Sequence, residues 1–315
     1  MSHLSNKAKH YGLIALKVLI LAATFWFIYS RLSSLENTAW DTFRTALSGL
    51  NLFYILFFLL LAVLNWLLEI RKWQMLVTKI EKIRLQDAVK QCLSALSAGL
   101  WTPNRIGEYG IKPLYFPKQQ RKKIMALNLL SNLSQMLATI LFGLPGLLYF
   151  LYRYNIEVPA WKPLSLLFLI AAMLMAGYYF RKRQLLIQGL SLENLVGFTR
   201  RILLRIRWQV ILLSVTRYVV FASSFYFLLR FFGTDIEFLN AAPLITSMYL
   251  IASVLPSFFF SEVAIKGGVA LWIFSVAGYD EIPVLCTAMA MWILNFVLPA
   301  IIGAFFVGKF KLVSQ

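Results

Sequence analysis

Long apolar stretches alternate with short polar ones along most of the chain. The apolar stretches run approximately over Gly12–Tyr29, Leu52–Leu68, Ile124–Tyr152, Pro163–Phe180, Gln209–Phe232 and Ile282–Gly308. A helix needs roughly 20 mostly apolar residues to cross about 30 Å of hydrocarbon. No water is available there to satisfy the backbone, so each stretch is predicted to be a transmembrane helix. Two further stretches, Val89–Phe116 and Phe238–Ala277, are apolar but interrupted by Pro, Gly and charge.

The polar segments set an orientation. Lys and Arg crowd Arg71–Lys90, Lys112–Lys123 and Arg181–Arg207, whereas Gly233–Asn240 and Gly278–Glu281 carry Asp235, Glu237, Asp280 and Glu281 and no base. Cytoplasmic loops attract basic residues, which predicts both termini inside and the acidic loops outside. Val89–Phe116 then has cytoplasmic flanks on both sides, and Phe238–Ala277 has external ones. Both read as re-entrant hairpins, one from each face. The expected fold is all-α and polytopic, with six transmembrane helices and two Pro-broken hairpins. It forms one integral membrane domain over residues 1–315. A shift of about 150 residues superimposes the halves in opposite orientation, which is the inverted repeat seen in many transporters. The repeats would cover 1–155, with a hairpin at about 85–116, and 156–315, with a hairpin at about 238–277.

Composition agrees: the chain is 60% hydrophobic and only 14% charged, with a mean hydropathy of +0.72. The formal charge of +18 sits in loops beside apolar segments, where anionic headgroups reward it, and no nucleic-acid partner is expected. The apolar run Tyr11–Tyr29 is long for a signal peptide and lacks an Ala-x-Ala site, so it is read as an uncleaved first span. Cys92 and Cys286 imply no disulfide framework. The two histidines, His3 and His10, stand in the amino-terminal tail, so no metal site or other cofactor is expected.

The candidate chemistry lies in the hairpins. The first reads Thr102-Pro103-Asn104-Arg105-Ile106-Gly107-Glu108-Tyr109-Gly110. Pro103 stops a helix, and Gly107 allows a sharp turn or a close approach. A half-helix restarting near Asn104 would aim free N–H groups at an anion such as phosphate, with Arg105 adding a full charge. The second hairpin holds Pro256, Ser257, Glu262, Lys266, Gly267 and Gly268, with Pro256 and Gly267 as its breaks. Each hairpin thus carries an acid and a base at helical spacing, Arg105 with Glu108 and Glu262 with Lys266. Such pairs either clamp a hairpin shut or mark a pathway, and charge in lipid favours the pathway. Arg217, near the middle of its span, either lines the same cavity, pairs with Glu262 or snorkels. The polar stripe Asn128, Asn132 and Gln135, together with Asn65 and Asn295, is read as interhelical hydrogen bonding. Trp73, Trp161 and Trp208 are read as interfacial belt residues.

Thr102-Pro103-Asn104-Arg105-Ile106-Gly107-Glu108 resembles the first motif of the lysylphosphatidylglycerol synthase transmembrane-region family. The stretch from Pro256 to Glu262 resembles its second, with three phenylalanines where glycines are common. The resemblance extends over nearly the whole chain in the order of spans. It implies a domain that binds or moves lipids, aminoacylated or polyprenyl-linked ones included. The soluble aminoacyltransferase domain of the full synthases is not expected here, so no synthase activity is expected.

The expected function is that of a non-enzymatic transporter or flippase of the bacterial inner membrane. Its substrate would be a phospholipid or a polyprenyl-linked anionic lipid, contacted by Asn104, Arg105, Glu108, Arg217, Glu262 and Lys266. A membrane-embedded lipid-binding partner and a glycosyl or headgroup transferase are the alternatives. Self-association and a separate enzyme partner are both left open.

Overall fold

The computed structural model describes residues 51–100, 102, 107–156, 202–255 and 262–308, together with positions 44, 45, 48, 49, 175, 197 and 198, and gives only the backbone at 262–265. The predicted spans Gly12–Tyr29 and Pro163–Phe180 fall outside them except for Met175, as do Pro103, Asn104, Arg105, Pro256 and Trp161. All regular structure among the described residues is helical.

Helix α1 (Leu52–Val77) starts where Asn51 accepts the Tyr54 N–H on its side chain, a standard N-cap. Helices α2 (Leu85–Gly99) and α3 (Gly107–Leu114) follow, then α4 (Arg121–Arg153). After them come α5 (Leu204–Phe231), α6 (Phe238–Val254), α7 (Glu262–Val276) and α8 (Glu281–Trp292). The last helix continues through a π turn, Ile293–Val297, into α9 (Leu298–Gly308). Four of these units are long and apolar enough to cross a membrane: α1, α4, α5 and the continuous stretch Glu281–Gly308. Large apolar side chains such as Leu60, Leu141, Leu148 and Phe305 remain exposed on them, as expected for surfaces that face lipid tails.

The interrupted stretches form pairs of shorter helices, α2 with α3 and α6 with α7. At 1.5 Å per residue, α6 with its 17 residues is about 26 Å long and α3 with 8 about 12 Å. Both fall short of a full crossing. The first pair is fastened at its turn: Gly107 N–H donates to Thr102 Oγ1 (2.6 Å), and Thr102 Oγ1 donates to the Gly99 carbonyl (3.1 Å). A Cβ on Gly107 would lie 2.6 Å from the Ala98 carbonyl oxygen, so the close approach expected of this glycine is present. Gly267 departs from expectation. It lies inside the unbroken helix α7, because glycine weakens a helix by about 1 kcal/mol without removing any backbone hydrogen bond.

Two glycine contacts draw the short helices against the long ones. Gly303 of α9 sits where a Cβ would be 2.0 Å from the Leu93 carbonyl oxygen and 2.4 Å from Ser97 Oγ of α2. Gly143 of α4 sits where a Cβ would be 2.6 Å from Leu250 Cβ and 3.0 Å from the Thr246 carbonyl oxygen of α6. Ser97 Oγ also donates to the Ala300 carbonyl (2.7 Å). Small residues let helices meet backbone to backbone, and packing of this kind drives association in lipid. Helices α1 and α5 also pack against each other.

Two further sequence readings need correction. The second span was expected to end at Leu68, with Arg71 to Lys90 as a basic loop. Instead α1 runs on to Val77, and Lys72 is buried with 1% of its surface exposed. Trp73 is no interfacial residue either. It is fully buried, and its indole N–H donates to Gln91 Oε1 (2.7 Å). In both cases the helix carries its polar face inward past the end of the apolar run, and a hydropathy reading stops at that end.

Candidate functional site

Positions 65, 69 and 72 of α1 are spaced four and three residues apart and so share one helical face. Asn65, Glu69 and Lys72 are all buried there. Glu69 Oε2 accepts both Lys72 Nζ (2.8 Å) and Arg217 Nη1 (2.9 Å), while Ser131 Oγ donates to Oε1 (3.4 Å). Arg217 stands midway along α5 and also donates from Nε to Asn65 Oδ1 (3.2 Å) and from Nη1 to Gln135 Oε1 (3.2 Å). Asn65 Nδ2 in turn donates to Asn295 Oδ1 (2.8 Å). One polar network thus ties α1, α4, α5 and the π turn together.

The π turn has a local cause. Pro299 has no N–H to give the carbonyl of Asn295 four residues earlier. Trp66 Nε1 donates to that carbonyl instead (3.1 Å). Turns of this kind inside α-helices occur often at functional sites.

A second buried cation adjoins the network. Lys112 of α3 is 2% exposed, donates to Asn128 Oδ1 (2.7 Å) and lies 4.4 Å from the centre of the Trp73 ring. Asn132 Nδ2 donates to Tyr109 Oη (2.9 Å). The stripe Asn128, Asn132 and Gln135 therefore bonds between helices, as its spacing suggested, and Gln135 borders the cavity as well.

The network opens on a cavity of about 390 Å³ bordered by Asn65, Gln135, Arg217, Tyr218, Tyr249 and Lys266, with Trp66, Phe221 and Phe296 as aromatic wall. Lys266 Nζ lies 5.0 Å from the Phe296 ring centre. A smaller apolar annex of about 50 Å³ shares Phe221, Tyr249, Lys266 and Phe296 with it and continues to Met248 and Met291. No described side chain bordering the main cavity is a carboxylate, so it presents two cations, Arg217 and Lys266.

Of the sequence-predicted site residues, the fold brings Arg217 and Lys266 to one cavity. Glu108 stands in the first turn of α3, four residues before Lys112. The side chain of Glu262 lies outside the described residues. Arg217 pairs with Glu69, a residue the sequence reading passed over together with Lys72, Lys112, Tyr218 and Tyr249. The spacing of Asn65, Glu69 and Lys72 was the available signal for the first two. No group of three or more His, Cys, Asp or Glu able to hold a metal occurs among the described residues.

The model of the lysylphosphatidylglycerol synthase transmembrane region matches residues 14–303. The chain belongs to this family. It is an integral membrane protein of the lysylphosphatidylglycerol synthase transmembrane-region type, and its family places it among membrane domains with a lipid-related role. No curated protein matches it. The family match takes in both interrupted stretches and every helix of the polar network up to Gly303.

Proposed function

We propose that this chain moves an anionic lipid, or a lipid-linked anion, between the leaflets of a bacterial inner membrane without changing it covalently. The observation that carries this reading is a cavity among apolar helices bordered by two cations, with no carboxylate among its described side chains. Charge in a membrane interior is costly and by default marks a pathway. Glu69 neutralises part of the cluster from behind and holds the Arg217 guanidinium in place.

The topology proposed for this movement is six spans, two re-entrant hairpins and an inverted repeat, with both termini in the cytoplasm. Contacts in the fold support the repeat. Leu93 and Ser97, which meet Gly303, shift by 153 positions onto Thr246 and Leu250, which meet Gly143. Gly143 and Gln135 shift by 160 onto Gly303 and Asn295, and Asn65 by 152 onto Arg217. Glu108 and Lys112 shift by 154 onto Glu262 and Lys266. Each half would present its hairpin in turn to one face, and the headgroup would pass between them at the network.

The test is a flux assay in proteoliposomes with tail-labelled lipids. The unaltered protein is expected to move anionic lipids, and Arg217→Ala to abolish movement. Arg217→Lys should weaken it, because a compact ammonium lacks the planar fork with which the guanidinium spans Glu69, Asn65 and Gln135 from Nε and Nη1. Movement at the unaltered rate in Arg217→Ala liposomes would refute the role given to the cavity.

A further inference from the structure

The cavity's hydrogen-bonding inventory is lopsided. Each side-chain amide oxygen bordering it is already engaged: Asn65 Oδ1 by Arg217 Nε, Gln135 Oε1 by Arg217 Nη1 and Asn295 Oδ1 by Asn65 Nδ2. The amide nitrogens of Gln135 and Asn295 donate to the carbonyls of Ser214 and Met291. Thr139 and Ser253, also on the wall, give their protons to the carbonyls of Gln135 and Leu250.

Two donors are left over. The hydroxyls of Tyr218 and Tyr249 are buried and have no hydrogen-bond partner among the described residues, and both residues border the cavity. Tyr218 is only 5% exposed. Neither ring is placed loosely. Tyr218 stacks on Phe142 with ring centres 5.1 Å apart and meets Tyr249 edge-on at 6.2 Å. Tyr249 is held in turn by Phe221 at 5.1 Å and Phe225 at 6.0 Å. A buried hydroxyl without a partner is destabilising, so two side by side in one cavity point to a ligand that completes them. Of the Arg217 donors, Nη2 takes part in none of the bonds above.

We propose that the headgroup bound here is a terminal phosphate carried on a lipid, a phosphomonoester or the outer phosphate of a diphosphate. This rests on the lipid-moving function proposed above and narrows its substrate. A terminal phosphate offers three oxygens that only accept, with close to two negative charges at neutral pH. It matches two phenol donors, a guanidinium edge and the Lys266 ammonium. A phosphodiester offers two such oxygens and one charge. An amine-bearing or aminoacylated headgroup brings a further positive charge to a chamber already bordered by Arg217 and Lys266, whose amide oxygens each accept one hydrogen bond already and whose described wall has no carboxylate to neutralise it. The apolar annex beyond Tyr249 and Lys266 receives the first carbons of the chain that carries the phosphate.

The experiment uses the purified full chain with Tyr218→Phe, Tyr249→Phe and the double variant. In detergent, thermal protection is measured with dihexanoyl phosphatidic acid, with the matching phosphatidylethanolamine and with inorganic phosphate. In liposomes, movement of tail-labelled phosphatidic acid is compared with that of phosphatidylethanolamine. The unaltered protein is expected to be protected by the phosphomonoester at concentrations at least about tenfold below the other two. Each Tyr→Phe change should raise the required concentration about tenfold. Without ligand both variants should be as stable as the unaltered protein or more so, since an unpartnered hydroxyl has been removed. Equal protection by phosphatidylethanolamine, or full protection of the double variant, would overturn the donor site. Equal protection by inorganic phosphate would overturn the lipid part and leave a soluble anion. A tyrosine-dependent protection with no lipid movement would sink transport and keep the binding site. Movement of phosphatidylethanolamine as fast as phosphatidic acid would do the reverse.

Discussion

Replacing Glu69 by Gln tests whether the buried charges form one mutually dependent unit. The carboxylate Oε2 lies 2.8 Å from Lys72 Nζ and 2.9 Å from Arg217 Nη1. At an effective dielectric constant of about 20, each attraction is roughly 6 kcal/mol before desolvation is charged against it. Most of that gross figure only offsets the cost of removing three charges from water. The measurable quantity is the penalty for removing one partner and leaving the others buried, about 3–5 kcal/mol. Lys72, at 1% side-chain exposure, cannot turn to solvent, whereas Arg217 at 20% partly can. The larger share of the loss therefore comes from Lys72. Glu69→Gln/Lys72→Met should recover more than half of it. By comparison, breaking the neutral pair Asn65–Asn295 should cost about 0.6 kcal/mol, the average for interhelical hydrogen bonds in membranes. Equilibrium unfolding in mixed micelles, followed by far-ultraviolet circular dichroism, measures all four proteins. An unchanged midpoint for Glu69→Gln, or a double variant no more stable than Glu69→Gln, would refute this account of the cluster.

Other consequences follow from contacts at single residues. Gly303→Ala places a Cβ 2.0 Å from the Leu93 carbonyl oxygen, a backbone atom that cannot step aside. It should destabilise the protein by about 1–3 kcal/mol through overpacking. Gly267→Ala meets nothing within 4 Å and should gain up to about 1 kcal/mol from helix propensity; the same unfolding assay compares the two. Trp73→Phe loses the bond to Gln91 and weakens the ring beneath Lys112, and a loss of about 1–2 kcal/mol is expected. Trp208→Phe, at 63% exposure, should be neutral within about 0.5 kcal/mol in that assay. Cys92 and Cys286 are buried; maleimide labelling of the folded protein in detergent should leave both unreacted, and denaturant should expose both.

Four of the six expected transmembrane helices, the two interrupted stretches and the inward polar stripe on α4 were legible from the sequence, because each follows from the period of hydrophobicity or from a Pro or Gly that breaks it. Gly107 was legible too, as a position where backbones approach. Gly267 was misread as a break, because glycine permits both a turn and a continuing helix and only the packing around it selects one. The end of α1 was misplaced for a related reason. Glu69 and Lys72 resemble the start of a basic loop until a partner on another helix is in view.

Sequence alone thus determined that this chain belongs in lipid, where the cores of its four described long helices run and which family it belongs to. A single helix suffices to satisfy its own backbone in hydrocarbon, so that information is local. Tertiary structure decided that Arg217, 148 residues away from Glu69 along the chain, closes its ion pair there. It also decided that each amide oxygen of the cavity accepts a bond from a neighbouring helix while two phenols make none among the described residues. Which donors stay unpaired depends on distances between helices, and those are fixed by glycine contacts far apart in the chain.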